Sequence, residues 1–216
     1  MTIDSLPRHF FVTGTDTGVG KTTVTVHLMQ HFAAQGLKVV GMKPLASGCD
    51  WVDGRWQNED VRQLTAASNV QAPTELVNPY CFQPPIAPHI AAAQAGTEIQ
   101  LDVIKAAYTA LTELADVVIV EGAGGLLVPL NKTQTMGDLL RVLELPALVV
   151  VGMRLGCINH ALLTRQVLQQ QKIPFCGWVA NQIDPHMSMQ QENLQTLVEW
   201  VQQPPVLHLP YQGQET

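Results

Sequence analysis

The chain has 216 residues, 46% of them hydrophobic, and a formal net charge of −6. That length predicts one domain, 1–216, large enough to bury about 70% of the surface its unfolded chain exposes. The composition excludes disorder, and an acidic balance with no basic block points away from nucleic acid and membrane surfaces as partners.

In chain order, a strand at 8–13 leads into a helix at 21–35, and a strand at 38–43 into a helix at 59–67. A helix at 101–114 precedes a strand at 117–121. A strand at 147–152 leads into a helix at 159–171, then a strand at 175–180, a helix at 189–202 and a short strand at 206–209. Most of the strand runs are continuously apolar, as strands covered on both faces are. Strand alternating with helix argues for an α/β fold, a parallel sheet with helices on both faces. The stretches 47–57 and 71–88 read as irregular, and the second, rich in proline, reads as an ordered loop over the site. There is no internal repeat.

The N-terminus lacks the basic start and apolar core of a signal peptide, and no apolar run reaches the roughly 18 residues of a membrane span. Cys49, Cys81, Cys157 and Cys176 lie far apart without C-x-x-C spacing. That predicts neither a zinc site nor a disulfide framework and fits a reducing cytoplasm.

The stretch TGTDTGVGKTT, between the first strand and the first helix, ends as a phosphate-binding loop does. Glycines let backbone wrap phosphate, Lys21 reaches the β and γ phosphates, Thr22 holds Mg²⁺, and the following helix offers unpaired N–H groups. Five residues separate Gly14 from Gly20, where the general pattern has four, and Thr15 stands in place of the first glycine. The pattern predicts a bound nucleoside triphosphate with Mg²⁺, in a three-layer sandwich of the P-loop NTPase type.

Four further stretches carry candidate chemistry. Lys43 closes a strand expected to lie beside the first, where open α/β sheets place ligands, and could stabilise transferred phosphoryl charge. A surface lysine with Pro44 turning the chain is an equal reading. Asp60 lies in the first turn of a helix, where capping by Asp60 or Asn58 is the favoured reading from the residues alone. Glu121 closes an apolar strand before glycines, which suits a Mg²⁺ ligand or a water-positioning group. After the strand at 147–152, Asn159 could cap the next helix and leave N–H groups for an anion, or the stretch could be a plain connection. His160 reads as a helix-surface residue and Cys157 as a packed one.

With FVTGTDTGVGKT, GMKPLASG, VNPYCFQPPIAPHIAAA, VIVEGAGGLLVPL, VVVGMRLGCINHALLT and GWVANQI in order from about residue 10 to about residue 183, the chain resembles the dethiobiotin synthetases. The five-residue spacing is that family's own form. The resemblance implies a homodimeric ligase of biotin biosynthesis with its site at the subunit interface. Such an enzyme closes 7,8-diaminononanoate and CO₂ into a cyclic urea at the expense of ATP, through a carbamate and a carbamic–phosphoric anhydride. It implies Lys43 and Lys21 as catalytic residues, and Thr17, Lys21 and Ser47 at the carbamate. Thr22, Asp60 and Glu121 would hold Mg²⁺, which displaces capping as the role of Asp60. Gly18, Val19, Gly20, Lys21, Thr22 and Thr23, then Glu121, Gly122, Ala123 and Gly124, would contact ATP. Asn181 with Gln182 would read the adenine, and Pro210 and Tyr211 would lie near it. The neighbouring subunit's Leu155, Gly156, Cys157 and Asn159 would receive the substrate carboxylate. Typical members run on through another helical segment after the position of Tyr211, so the nucleotide base is expected to be held less tightly here.

Three rivals are weaker. A cobyrinate-type amide synthase would need a glutamine-hydrolysing domain for which there is no room. Chromosome-partitioning and septum-positioning ATPases carry a lysine where this chain has Asp16. An inactive copy would have lost candidate catalytic residues, and all are present.

Overall fold

The computed structural model describes residues 2–52 and 54–211. After a 3₁₀ turn at Ile3–Ser5, the elements are β1 (His9–Gly14), α1 (Lys21–Ala34), β2 (Val39–Met42), β3 (Leu45–Ser47), β4 (Asp50–Val52), β5 (Arg55–Gln57), α2 (Glu59–Ala67), α3 (Thr74–Val77), β6 (Tyr80–Phe82), α4 (Pro88–Gln94), α5 (Leu101–Leu114), β7 (Val117–Glu121), α6 (Met136–Val142), β8 (Ala147–Met153), α7 (Cys157–Gln170), β9 (Phe175–Gln182), α8 (Gln190–Val201) and β10 (Leu207–Leu209).

Six strands form one sheet in the order β10-β9-β8-β1-β7-β2, every neighbouring pair parallel. Successive strand residues point to opposite faces, and the two faces bury separate cores. Phe10, Val12, Val117 and Ile119 pack with Val24, Leu28 and Phe32 of α1 on one face. Phe11, Val118 and Val120 pack with Ile104 of α5, Leu139 of α6 and Leu168 of α7 on the other. Every residue of β7 and β8 is buried. That is why these runs are continuously apolar.

Sheet order corrects one expectation. β2 does not lie beside β1; β7 stands between them, with Val12 opposite Glu121 and Met42 opposite Val120. β7 is buried on both faces and bonded on both sides, whereas β2 takes the edge. Chain order does not encode this. β1 is the point where the winding turns from one side of the sheet to the other, the position where such sheets bind ligands beyond their carboxyl ends.

The irregular stretches hold short elements of their own. β4 and β5 pair as an antiparallel hairpin within 47–57, and β3 pairs in parallel with β6. α3 and α4 flank β6, and α6 lies between β7 and β8, where the sequence predicts no element. Each is too short to show a period. The α7 boundary is also corrected. Gly156, at φ 94°, precedes the first turn, which opens at Cys157, and Asn159 lies inside the helix rather than capping it. Asn159 is exposed.

The cysteines are a further correction. Cys49 and Cys81 form a disulfide, 32 residues apart in sequence. Parallel pairing of β3 with β6 juxtaposes Ser47 with Phe82, and Cys49 N donates to Phe82 O at 3.0 Å. The bond is made by tertiary pairing, so spacing along the chain carried no trace of it. Cys157 and Cys176 are free and buried.

Candidate active site

The loop from Gly14 to Lys21 folds back over the end of β1 because its glycines adopt left-handed backbone: Gly18 at φ 72° and Gly20 at φ 80°. Gly20 immediately precedes α1, so the first N–H groups of that helix lie under the loop. Lys21 Nζ donates to Asp16 O at 3.0 Å, back within the loop. Burial, then the nearby Lys43 charge, bring the Lys21 pKa down to about 8.

Lys43 follows β2 and Glu121 ends β7, one strand apart. Lys43 Nζ lies 2.6 Å from Glu121 Oε1 and 2.8 Å from Asp60 Oδ2. Thr22 Oγ1 donates to the same Glu121 oxygen at 2.9 Å. Burial opposes the Lys43 ammonium, but Glu121 and Asp60 outweigh it and raise its pKa. Burial likewise works against the Asp60 carboxylate, and Lys43 outweighs it, holding Asp60 below the ordinary range. The cap of α2 is Asn58, whose side chain accepts from Asp60 N at 3.0 Å. That leaves the Asp60 carboxylate free to face Lys43. The Asn58 amide also donates to Ser47 O at 3.1 Å, tying the start of α2 to the end of β3.

These groups line one cavity of about 750 Å³, with Thr17, Gly18, Gly20, Lys21, Thr22, Thr23, Lys43, Ser47, Asp60, Glu121, Ala123 and Gly124 on its walls. Its far wall is Pro85, Ile86, Ala87 and Pro88, so the proline-rich stretch does lie over the site. Thr22, Asp60 and Glu121 offer hydroxyl and carboxylate oxygens, the hard donors magnesium takes. Glu121 Oε2 is fully buried without a hydrogen-bond partner among the described residues, as is Ser47 Oγ. Both orphaned oxygens suit a site completed by a polar ligand or an ion. Among the described residues no three His, Cys, Asp or Glu cluster as a ready metal site. A divalent ion here would therefore complete its shell with water and phosphate.

Other predicted residues lie off the cavity wall. Val19 and Gly122 are buried, and a Cβ on Gly122 would stand 2.7 Å from the Phe11 ring. Asn181 is buried at the end of β9 and donates to Val19 O at 2.9 Å, bracing the phosphate loop from beneath. Gln182 is buried beside it. Leu209 pairs with Asn181, so Pro210 and Tyr211 follow next to it, exposed. Leu155 is 92% exposed. With Gly156 and Asn159 it forms an open turn at the start of α7, while the Cys157 thiol is buried and its pKa raised by that burial. Leu45, Ala46, Gln63 and Val128 also line the cavity without having been singled out. They are ordinary residues that enter only through tertiary placement.

A family model described as an AAA domain matches residues 8–215. The ATP-dependent dethiobiotin synthetase BioD of Nitrosospira multiformis is 55% identical over 94% of this chain and 88% of its own length. That of Aromatoleum aromaticum is 49% identical over 88% of this chain and 85% of its own. Among solved structures, a ParA family ATPase from Chlorobium tepidum TLS superposes with a TM-score of 0.57 at 14% identity, covering 96% of this chain and 85% of that one, a likeness of fold alone. Identity at this level over nearly the whole chain, on a sheet that gathers two lysines and two acids at its carboxyl ends, shows that the chain belongs to the ATP-dependent dethiobiotin synthetase family.

Proposed function

We propose that this single-domain chain closes 7,8-diaminononanoate and CO₂ into dethiobiotin at the expense of ATP. The observation that carries the reading is the convergence of Lys21, Lys43, Thr22, Asp60 and Glu121 on one cavity roofed by 85–88.

One amine of the substrate takes up CO₂ as a carbamate. A carbamate oxygen attacks the γ-phosphorus, the bond to the ADP oxygen breaks, and a carbamic–phosphoric anhydride forms. The second amine attacks the carbamoyl carbon, phosphate leaves, and the urea ring closes. Carbamate and γ-phosphate are both anions, so their approach requires positive charge fixed in advance. Lys21 supplies it from the phosphate loop and Lys43 from the end of β2. Thr17 and Ser47 line the same cavity and would orient the carbamate. Thr22, Asp60 and Glu121 would hold Mg²⁺, which when bound neutralises phosphate charge. With those carboxylates engaged by the ion, Lys43 would be free to face the reacting centre. Gly18 to Thr23 and Ala123 to Gly124 would enclose the phosphates, and Asn181, Gln182, Pro210 and Tyr211 would border the base.

Leu155, Gly156 and Asn159 are exposed and do not line this chain's own cavity, and we assign their turn to the substrate carboxylate of a second copy in a homodimer. No helix among the described residues is long and apolar enough to cross a membrane, and a cytoplasmic enzyme fits these substrates.

The test is turnover. Purified protein with diaminononanoate, bicarbonate, ATP and Mg²⁺ should yield dethiobiotin by mass spectrometry, with loss of product on omitting any one component. ATP hydrolysis indifferent to the diamine would sink the reading.

A further inference from the structure

One acid stands in the phosphate loop with no part in the chemistry above. Asp16 Oδ1 accepts from Thr17 N at 2.7 Å, and the Asp16 carbonyl accepts from Lys21 Nζ at 3.0 Å. One residue thus sets the positions of two groups assigned to the carbamate. Its other carboxylate oxygen, Oδ2, accepts from Arg154 Nη2 at 2.6 Å. Arg154 belongs to the turn between β8 and α7, and its own carbonyl accepts from Cys157 N at 3.0 Å, so the first turn of α7 fixes its backbone.

A carboxylate in a loop built to surround phosphate opposes the charge the loop must hold. Asp16 is useful as an acceptor and harmful as an anion. The guanidinium of Arg154 resolves the conflict: it cancels the charge and leaves the acceptor oxygens in place. The two side chains are 41% and 44% exposed. Such a pair contributes little to folding, so its consequence falls on the nucleotide rather than on the fold.

We propose that Arg154 is a positioning residue for ATP, acting through Asp16: it neutralises the one acid of the phosphate loop, so that Asp16 can hold Thr17 and Lys21 without repelling the triphosphate. This rests on the nucleotide reading of the cavity, and the test separates the two.

The measurement is equilibrium binding of Mg·ATP to the whole protein by calorimetry, with melting temperature recorded for each variant. Arg154→Gln is expected to weaken binding about fivefold, less at high salt, with an unchanged melting temperature. Asp16→Asn keeps the acceptor and drops the charge, and should bind at least as tightly as the wild type. The double variant should return to within about twofold of the wild type, the signature of coupled charges. Arg154→Lys should lie near the wild type. Unaltered binding by Arg154→Gln, weaker binding by Asp16→Asn, or a double variant no better than Arg154→Gln would each overturn the inference. A wild-type protein that binds no Mg·ATP would instead overturn the nucleotide reading itself.

Discussion

Lys43 Nζ lies 2.6 Å from Glu121 Oε1, and both side chains are buried, Glu121 completely. In the free protein the ammonium occupies the space between the acids assigned to Mg²⁺. A cation bound to those acids would compete with Lys43 for the same oxygens.

Removing Lys43 strands a buried carboxylate, a change that costs about 3–5 kcal/mol. Lys43→Ala should melt roughly 10 °C below the wild type. Millimolar Mg²⁺ without nucleotide should recover part of that loss, since a divalent ion replaces the missing charge, and should leave the wild type nearly unmoved. Equal Mg²⁺ effects on both proteins, read by thermal shift, would contradict the shared site. Ring closure should fall about 10²–10³-fold.

Lys21 links nucleotide binding to pH. Its folded pKa, about 8, lies below the unfolded value of about 10.4. Between those values the unfolded chain binds more protons, so stability of the free protein rises with pH across that window. Phosphate oxygens reverse the shift. At pH 8 Mg·ATP should take up about half a proton, falling to nearly none at pH 6.5. Binding enthalpies measured in buffers of different ionisation heat should diverge at pH 8 and coincide at pH 6.5.

The Cys49–Cys81 bond secures the strand pair that carries Ser47 and leads into 84–88. A loop of this length should contribute about 3–4 kcal/mol. Reduction by dithiothreitol should lower the melting temperature by several degrees, and should leave Cys49→Ser/Cys81→Ser unaffected. Alkylation in denaturant without reductant should modify Cys157 and Cys176 only. In the native protein both should resist it, since burial raises both thiols, Cys176 to about 12. Four modified thiols without reductant would deny the bond.

Gly20 is confined twice. Its backbone is left-handed, and a Cβ there would stand 2.1 Å from Asn181 Nδ2. Gly20→Ala should weaken ATP at least tenfold, because the loop must move off its brace. Adding Asn181→Gly removes the clash but also the brace on Val19 O and leaves the backbone strain, so binding should not recover.

How much of this was legible beforehand differs by level. The strand positions followed from continuous apolar runs because β7 and β8 are buried on both faces, and β7 carries its one polar residue, Glu121, only at its end. The phosphate loop and Glu121 stood out because each closes an apolar strand, where ligands collect; Lys43 does too, but a surface lysine was an equal reading before the family resemblance. Asp60 was not legible from its neighbours alone, where it looks like a helix cap; the family resemblance set capping aside, and the structure shows Asn58 taking the cap while Asp60 faces Lys43.

The sequence by itself therefore determined the six strands of the main sheet and the longer helices, the family and the residues at the strand ends, since these depend on neighbours a few positions apart. Tertiary structure alone decided that β7 separates β1 from β2, that Cys49 meets Cys81, and that Arg154 reaches Asp16 across 138 residues. Those relations depend on which strands pair, and pairing is settled by the whole core rather than by any local run.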